Sequence, residues 1–131
     1  MFDFMFSIED EMSGTLAEMV EKANDLSAPQ EEAGYILQKS IKDNFIAGGR
    51  PDPWVPRKKD VEWPLLIKTG ALMDSIEAEV TSPTEIDVFS DSEYAAAQDM
   101  GTEILPARPF MIIQEEDADK IEEIFSRHFG F

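Results

Sequence analysis

Between Gly48 and Lys68 the chain places two adjacent glycines and then four prolines, Pro51, Pro53, Pro56 and Pro64. Proline lacks an amide donor and clashes with the preceding turn, so no helix runs through this stretch. It divides the 131 residues into a front with helical periodicity and a back of short alternating segments. A loop this long in a compact domain is functional or disordered. Trp54 and Trp63 argue against disorder, because aromatics are scarce in disordered segments. Two readings of the indoles stand open: they close over the chain's own core, or they reach a partner subunit. The charges and aromatics of the loop have no evident internal partner in the sequence. Parts of 48–64 are therefore expected to be mobile in a monomer and to order on assembly.

Ahead of the loop, from about Glu11 to Leu26, Met12, Leu16, Met19, Val20, Ala23 and Leu26 recur at helical spacing. Ser27 is placed to cap a second helix with Pro29 in its first turn. That helix runs to about Ala47, with Ala33, Ile36, Leu37, Ile41 and Phe45 on one face, and Gly48-Gly49 ends it. At the start of the chain Phe2, Phe4, Phe6 and Ile8 alternate with Asp3, Met5, Ser7 and Glu9. Period two suits an edge strand over 1–8; the other reading is an apolar arm that orders only against a neighbour.

Behind the loop, Thr69 is placed to cap a short helix through Leu72 and Met73. Ile76, Ala78 and Val80 alternate with acidic or polar residues, Ser82-Pro83-Thr84 is a turn, and Ile86 and Val88 alternate with Asp87 and Phe89. That pattern is a hairpin over 76–90. Asp91 or Ser92 caps an Ala-rich helix that opens with Tyr94. Gly101 stops it in a left-handed conformation. Pro106 and Pro109 then impose an extended path, with Arg108 held between them and Phe110 beyond. An arginine in a stiff segment suits a bidentate pair with a carboxylate. Acidic residues are abundant, so such a partner is expected, within the domain or on a neighbouring subunit; Phe110 beside it favours the former. Residues 109–113 read as a third strand or an extended edge. Glu115 to His128 forms a last helix with Ala118, Ile121, Ile124 and Phe125 inward and His128 at the inward edge. The fold expected is α+β in one domain, 1–131. Two N-terminal helices and a C-terminal helix pack on a small antiparallel sheet, with a long Pro/Trp-containing loop.

The residues offer little chemistry. The chain has no Cys and one His, which removes disulfides, thiolate metal sites and two-His metal motifs. No Ser/His/Asp arrangement can be placed on a single terminal His. Gly48-Gly49-Arg50 lacks the Lys-Ser/Thr of a phosphate loop and follows a helix instead of a strand. Glu115-Glu116-Asp117 suits the N-terminal dipole of the last helix better than a cation loop, whose ligands spread over a turn. No cofactor and no metal are expected. No apolar run approaches the roughly 20 residues that cross a bilayer, and the apolar start lacks the basic region of a signal peptide.

The net charge of −17 argues against nucleic acid or an anionic membrane as partner. It is uneven. Residues 39–68 hold Lys39, Lys42, Arg50, Arg57, Lys58, Lys59 and Lys68 against Asp43, Asp52, Asp60 and Glu62, a balance of +3 that leaves −20 on the rest. An acidic body with a mildly basic stretch suits head-to-tail self-association. It also suits plain solubility.

Three motifs carry a resemblance. They are Arg50-Pro51-Asp52-Pro53-Trp54-Val55-Pro56, then Leu66-Ile67-Lys68-Thr69-Gly70-Ala71-Leu72-Met73-Asp74-Ser75-Ile76, and then Tyr94-Ala95 followed by Gly101 and Pro106-Ala107-Arg108-Pro109-Phe110. In this order and spacing the chain resembles the phage virion morphogenesis family from about residue 8 to 129. It departs in having Gln98-Asp99 where the family often has His-Gln, and in a shorter, less basic segment after the Pro-Trp loop. The resemblance implies a structural protein with no catalytic residues to transfer. It would be made in the bacterial host cytoplasm and then sit in the virion at the tail end or the head–tail junction. Its implied partners are its own copies, in a ring, and other phage tail or connector proteins. Arg50, Pro51, Trp54, Trp63, Thr69, Gly70, Tyr94, Gly101, Arg108, Pro109 and Phe110 are the candidate structural or interface positions. The competing reading is a small acidic DNA-mimic inhibitor, which requires a continuous acidic stripe; residues 39–68 interrupt one.

Overall fold

The computed structural model describes residues 2–12, 14–57 and 70–130, with Glu9 by its backbone alone. Trp63, the Thr69 cap and the later part of the Pro-rich loop lie outside the described residues. The elements run β1 (Phe2–Ser7), α1 (Ile8–Glu11), α2 (Gly14–Lys22), α3 (Ser27–Ala47), α4 (Ala71–Asp74), β2 (Glu77–Ser82), β3 (Glu85–Ser90), α5 (Ala95–Met100) and α6 (Glu115–His128). The fold is α+β.

The sheet is antiparallel in the order β1-β3-β2. The alternation at the N-terminus is therefore a strand and not a free arm. It supplies the third strand expected at 109–113, where no strand forms. Phe4 and Ala78 face Val88, and Phe6 and Val80 face Ile86. Because side chains alternate, these residues share one face, and α3 packs against it across β2 and β3. Ala33, Leu37, Ile41 and Phe45 of α3 are fully buried. The helix carries α6 as well, through a face that includes Ile121 and Phe125. So α6 packs chiefly on α3, its buried face joining the same core as the sheet.

Two helix boundaries differ from the periodicity. The segment from Glu11 to Leu26 is not one helix: Met12 is extended (φ −101°, ψ 162°) and separates α1 from α2. An apolar stripe records which residues are buried but not whether the backbone stays helical between them. Ser27 does not cap α3. It lies in the first turn and donates from N (3.1 Å) and Oγ (2.8 Å) to Asp25 Oδ1, an Asx turn just ahead of the helix. Those two bonds hold the Asp25 carboxyl below its usual range. His128 is exposed, with Nε2 at 3.3 Å from Asp25 O. It stands at the last turn of α6, past the end of the buried stripe.

Candidate functional site

The exit from α3 sets the path of the first motif. Gly48 N and Gly49 N turn back to Phe45 O (3.2 Å) and Asn44 O (2.8 Å). Gly49 has φ 108°, and a Cβ there would stand 2.7 Å from Asp52 O and from Trp54 N. No other residue fits so tight a reversal. The Arg50–Pro51 peptide is cis. The reversal brings Trp54 back onto the end of α3, where it is buried, edge-on to Phe45 with centroids 5.7 Å apart at 82°. Its Nε1 donates to Pro109 O at 2.8 Å. Of the two readings of Trp54, closure over the chain's own core is the one realised. Arg50 also finds internal partners: Nε donates to Asn44 Oδ1 (2.9 Å) and Nη2 to Ser40 O (2.8 Å). The expectation that 48–64 lacks internal partners is thus corrected for Arg50 and Trp54; from residue 58 on it falls outside the described residues.

The second half of the arrangement is the chain from α5 to α6. Ser92 Oγ accepts from Tyr94 N (3.3 Å), a turn just ahead of α5. The N-cap is Tyr94, with no side-chain cap, so neither Asp91 nor Ser92 caps the helix. Tyr94 itself is exposed. Gly101 ends the helix at φ 78°, ψ 170°. This is an extended positive-φ conformation instead of the left-handed one expected. A Cβ there would meet Ala107 N at 2.7 Å and Leu105 O at 2.9 Å. The chain folds back so that Arg108 N donates to Gln98 O (3.0 Å). Side chains, not a neighbouring strand, then satisfy the backbone of 110–112. Asp99 Oδ1 accepts from Phe110 N and Met111 N, both at 2.9 Å. Asn44 Nδ2 donates to Phe110 O (2.7 Å) and Ile112 O (2.9 Å). Buried backbone groups need partners, so this is why an extended segment survives here without a sheet. Phe110 is fully buried at 4.9 Å, centroid to centroid, from Phe45.

Arg108 is buried, and its Nε donates to Val55 O at 2.9 Å. Its partner among the described residues is a carbonyl and not the carboxylate expected. Burial, and after it the nearby Arg57, lower its pKa. Losing a hydrogen bond to a charged group costs about 1.5–3 kcal/mol, and removing a desolvated charge offsets part of that. Arg108→Ala is accordingly expected to destabilise by only about 1–2 kcal/mol in urea unfolding. A loss of about 3–5 kcal/mol, typical of a broken buried ion pair, would show that a carboxylate does pair with it.

Beneath both motifs lies a polar cluster. Ser40 Oγ donates to Asp117 Oδ2, which also accepts from Gln114 N (2.7 Å). Ser40, Asn44 and Asp117 are all buried. Asp117 therefore caps α6 and ties it to α3, while Glu115 and Glu116 point to solvent. Among the described residues no group of three or more His, Asp or Glu could hold a metal ion. The arrangement brings Arg50, Pro51, Trp54, Arg108, Pro109 and Phe110 together, closed by Gly101. Gly70 stands apart at the start of α4, in the left-handed conformation (φ 75°). The cleft between the motifs, lined by Pro51, Trp54, Val55, Pro109 and Ile112, is about 180 Å³, below the size of ordinary small-molecule pockets. Sequence reasoning missed Ser40, Asn44 and Asp99. Ser40 and Asn44 carried a signal, being polar residues four apart on the buried stripe of α3. Asp99 carried none, since its role depends on where residues 110–111 arrive.

One further group stands out on the other face of the sheet. Asp87, in β3, is buried, and its Oδ1 meets no hydrogen-bond partner among the described residues. Burial first, and then the Asp3 carboxyl and the Glu79 charge, raise its pKa to about 6. The folded state holds this proton more tightly than the unfolded chain. The stability so contributed is present below about pH 4 and is lost as pH rises through about 6. Asp87→Asn is expected to raise stability by about 1–3 kcal/mol near pH 7.5 and to change it little near pH 4. Melting temperatures of both proteins across that range check the sign; a destabilised variant at the higher pH contradicts it.

The family model described as the phage virion morphogenesis family matches residues 9–130. The Mu-like prophage FluMu G protein 2 of Haemophilus influenzae is 34% identical over 96 residues, which covers 67% of this chain and 67% of that protein. No solved structure matches.

Proposed function

This chain belongs to the phage virion morphogenesis family, and from that premise we propose that it completes the tail or joins head to tail in a Mu-like phage or prophage, as a ring of its own copies. The family match across 9–130 carries the reading. The geometry agrees with it: the motif residues Arg50, Trp54, Arg108 and Phe110 hold the fold together, and none is arranged around a reacting centre. The protein acts by contact, with copies of itself and with tail or connector proteins, and without a cofactor. Nucleic acid and membrane are not its partners, given the charge; among the described residues no helix is long and apolar enough to cross a bilayer.

An in-frame deletion in the source phage or prophage tests this. Induced lysates are expected to contain filled heads and incomplete or unattached tails, with infectivity restored by the gene in trans. Mass spectrometry of purified wild-type particles is expected to find the chain. Normal particles from the deletion, or particles that lack the chain, would overturn the proposal. So would a measured turnover that one acidic substitution abolishes without unfolding the protein.

A further inference from the structure

β2 is an edge strand: it pairs with β3 on one side, and no described strand pairs with it on the other. Half of its backbone donors and acceptors therefore face outward. Side chains of α3 serve only the two ends of the strand. Gln38 Nε2 donates to Ile76 O (2.8 Å), and Gln30 Nε2 donates to Ser82 O (3.4 Å) and Pro83 O (3.1 Å). Between these points no group outside the ladder bonds the β2 backbone among the described residues.

A groove of about 420 Å³ lies between β2 and α3, lined by Gly34, Tyr35, Ala78, Val80 and Ile86 among others. It stands open: Tyr35 is 64% exposed and Val80 38%. Gly34 is the informative residue. It sits in the interior of α3, where glycine weakens a helix. A Cβ there would meet only Ala78 Cβ, at an ordinary 3.7 Å. Folding thus gives no reason for a glycine at 34, whereas a longer side chain would fill the groove.

The two faces of the edge differ in chemistry. Ala78 and Val80 turn to the groove side, and Glu77 and Glu79 to the other face, where both are exposed. The three strands contain no Lys or Arg. No ion pair among the described residues reaches Glu31, Glu77 or Glu79. A strand laid along β2 would place alternate side chains beside each set. Apolar residues would enter the groove, and Lys or Arg would meet the carboxylates. The same carboxylates disfavour a second copy: its β2 would bring Glu77 and Glu79 to the edge and its β1 would bring Asp3, like charges side by side.

We propose that the open edge of β2 takes up an extended segment of a different protein by strand addition, one in which apolar residues alternate with Lys or Arg. Main-chain bonds to β2 hold it, the groove at Gly34 selects the apolar side chain, and Glu77 and Glu79 select the basic ones. The contact goes beyond the ring reading and stands whether or not the copies form a ring.

The test titrates the full, isotope-labelled chain with a short peptide of alternating Lys and Val, followed by NMR. Saturable shifts are expected at Tyr35, Ala78, Glu79 and Val80, with a dissociation constant of about 10–100 µM that rises with salt. Gly34→Leu, which fills the groove, should weaken binding at least about tenfold while melting no lower than wild type. Tyr35→Ala, at an exposed site, should weaken it too without touching the helix packing. Reversing both charges, Glu77→Lys with Glu79→Lys, should transfer the preference to a peptide of alternating Glu and Val. A purely structural role cannot exchange one peptide for the other. The proposal falls if the shifts map away from β2 and α3, or if no saturation appears by about 1 mM peptide. It falls equally if Gly34→Leu and Tyr35→Ala both bind as wild type does, or if the charge-reversed protein still prefers Lys. A mixed-label sample in which the β2 strands of two copies pair with each other also overturns it. None of these results bears on the deletion phenotype, which judges the tail-assembly reading separately.

Discussion

Trp54→Ala is expected to cost about 3–5 kcal/mol, the range for deleting a large aromatic side chain from a core. The whole margin of a domain is about 5–15 kcal/mol, so this one change threatens the fold. The reason is position as much as size. The indole packs edge-on against Phe45, Phe45 in turn packs on Phe110 and Phe110 on Phe2, so its loss opens a void at the end of a four-ring row. It also removes the Nε1 bond to Pro109 O, which with the Arg108 Nε bond to Val55 O directly links the two Pro-rich segments. Trp54→Phe keeps part of the ring contact and loses the bond, so it should fall between wild type and alanine. Urea unfolding measures both. A cost below about 1 kcal/mol, the range of ordinary surface changes, would mean that Trp54 closes nothing and faces a partner after all.

Asn44→Ala should be comparably severe, by a different mechanism. Asn44 is fully buried. Its Nδ2 serves the carbonyls of Phe110 and Ile112, and its Oδ1 receives Arg50 Nε. Truncation orphans all three groups, at about 1–3 kcal/mol for each buried group left unsatisfied. Water entering the space will recover some of that, so a total of about 3–5 kcal/mol is expected. Asn44→Leu separates polarity from volume: it refills the space and satisfies nothing, and should be nearly as damaging. Asn44→Asp keeps the Arg50 bond but turns a donor into a carboxylate oxygen facing two carbonyls, and should be at least as unstable as alanine. If leucine proved equal to wild type, the polar cluster would be incidental and packing alone would hold the motifs.

Much of the architecture was legible because it rests on local rules. The stripe Ala33, Leu37, Ile41 and Phe45 marks a buried helix face whatever it packs against. Gly48-Gly49 marks the end of that helix, since positive φ is costly for any residue with a Cβ. The hairpin over 76–90 follows from alternation and a Pro-Thr turn. What failed locally failed where two local solutions were close in energy. Phe2 to Phe6 alternates equally well as strand or arm, and the choice fell to β3, whose open edge accepts it. Residues 109–113 have the composition of a strand, but Asp99 and Asn44 reach their amides and carbonyls first.

The candidate site divides the same way. The residue types in Arg50-Pro-Asp-Pro-Trp54 and Pro-Ala-Arg108-Pro-Phe110, and the stiffness their prolines impose, belong to the sequence. So does the family they mark, because covalent spacing and backbone restriction are properties of neighbours along the chain. That the two segments meet, that Arg108 ends on a carbonyl of Val55, and that Asp87 is buried beside other carboxylates were decided only in three dimensions. Those outcomes depend on which distant groups arrive within about 3 Å of one another. The packing of α3 between the sheet and α6 chooses the arrivals, and no pattern of neighbours along the chain encodes them.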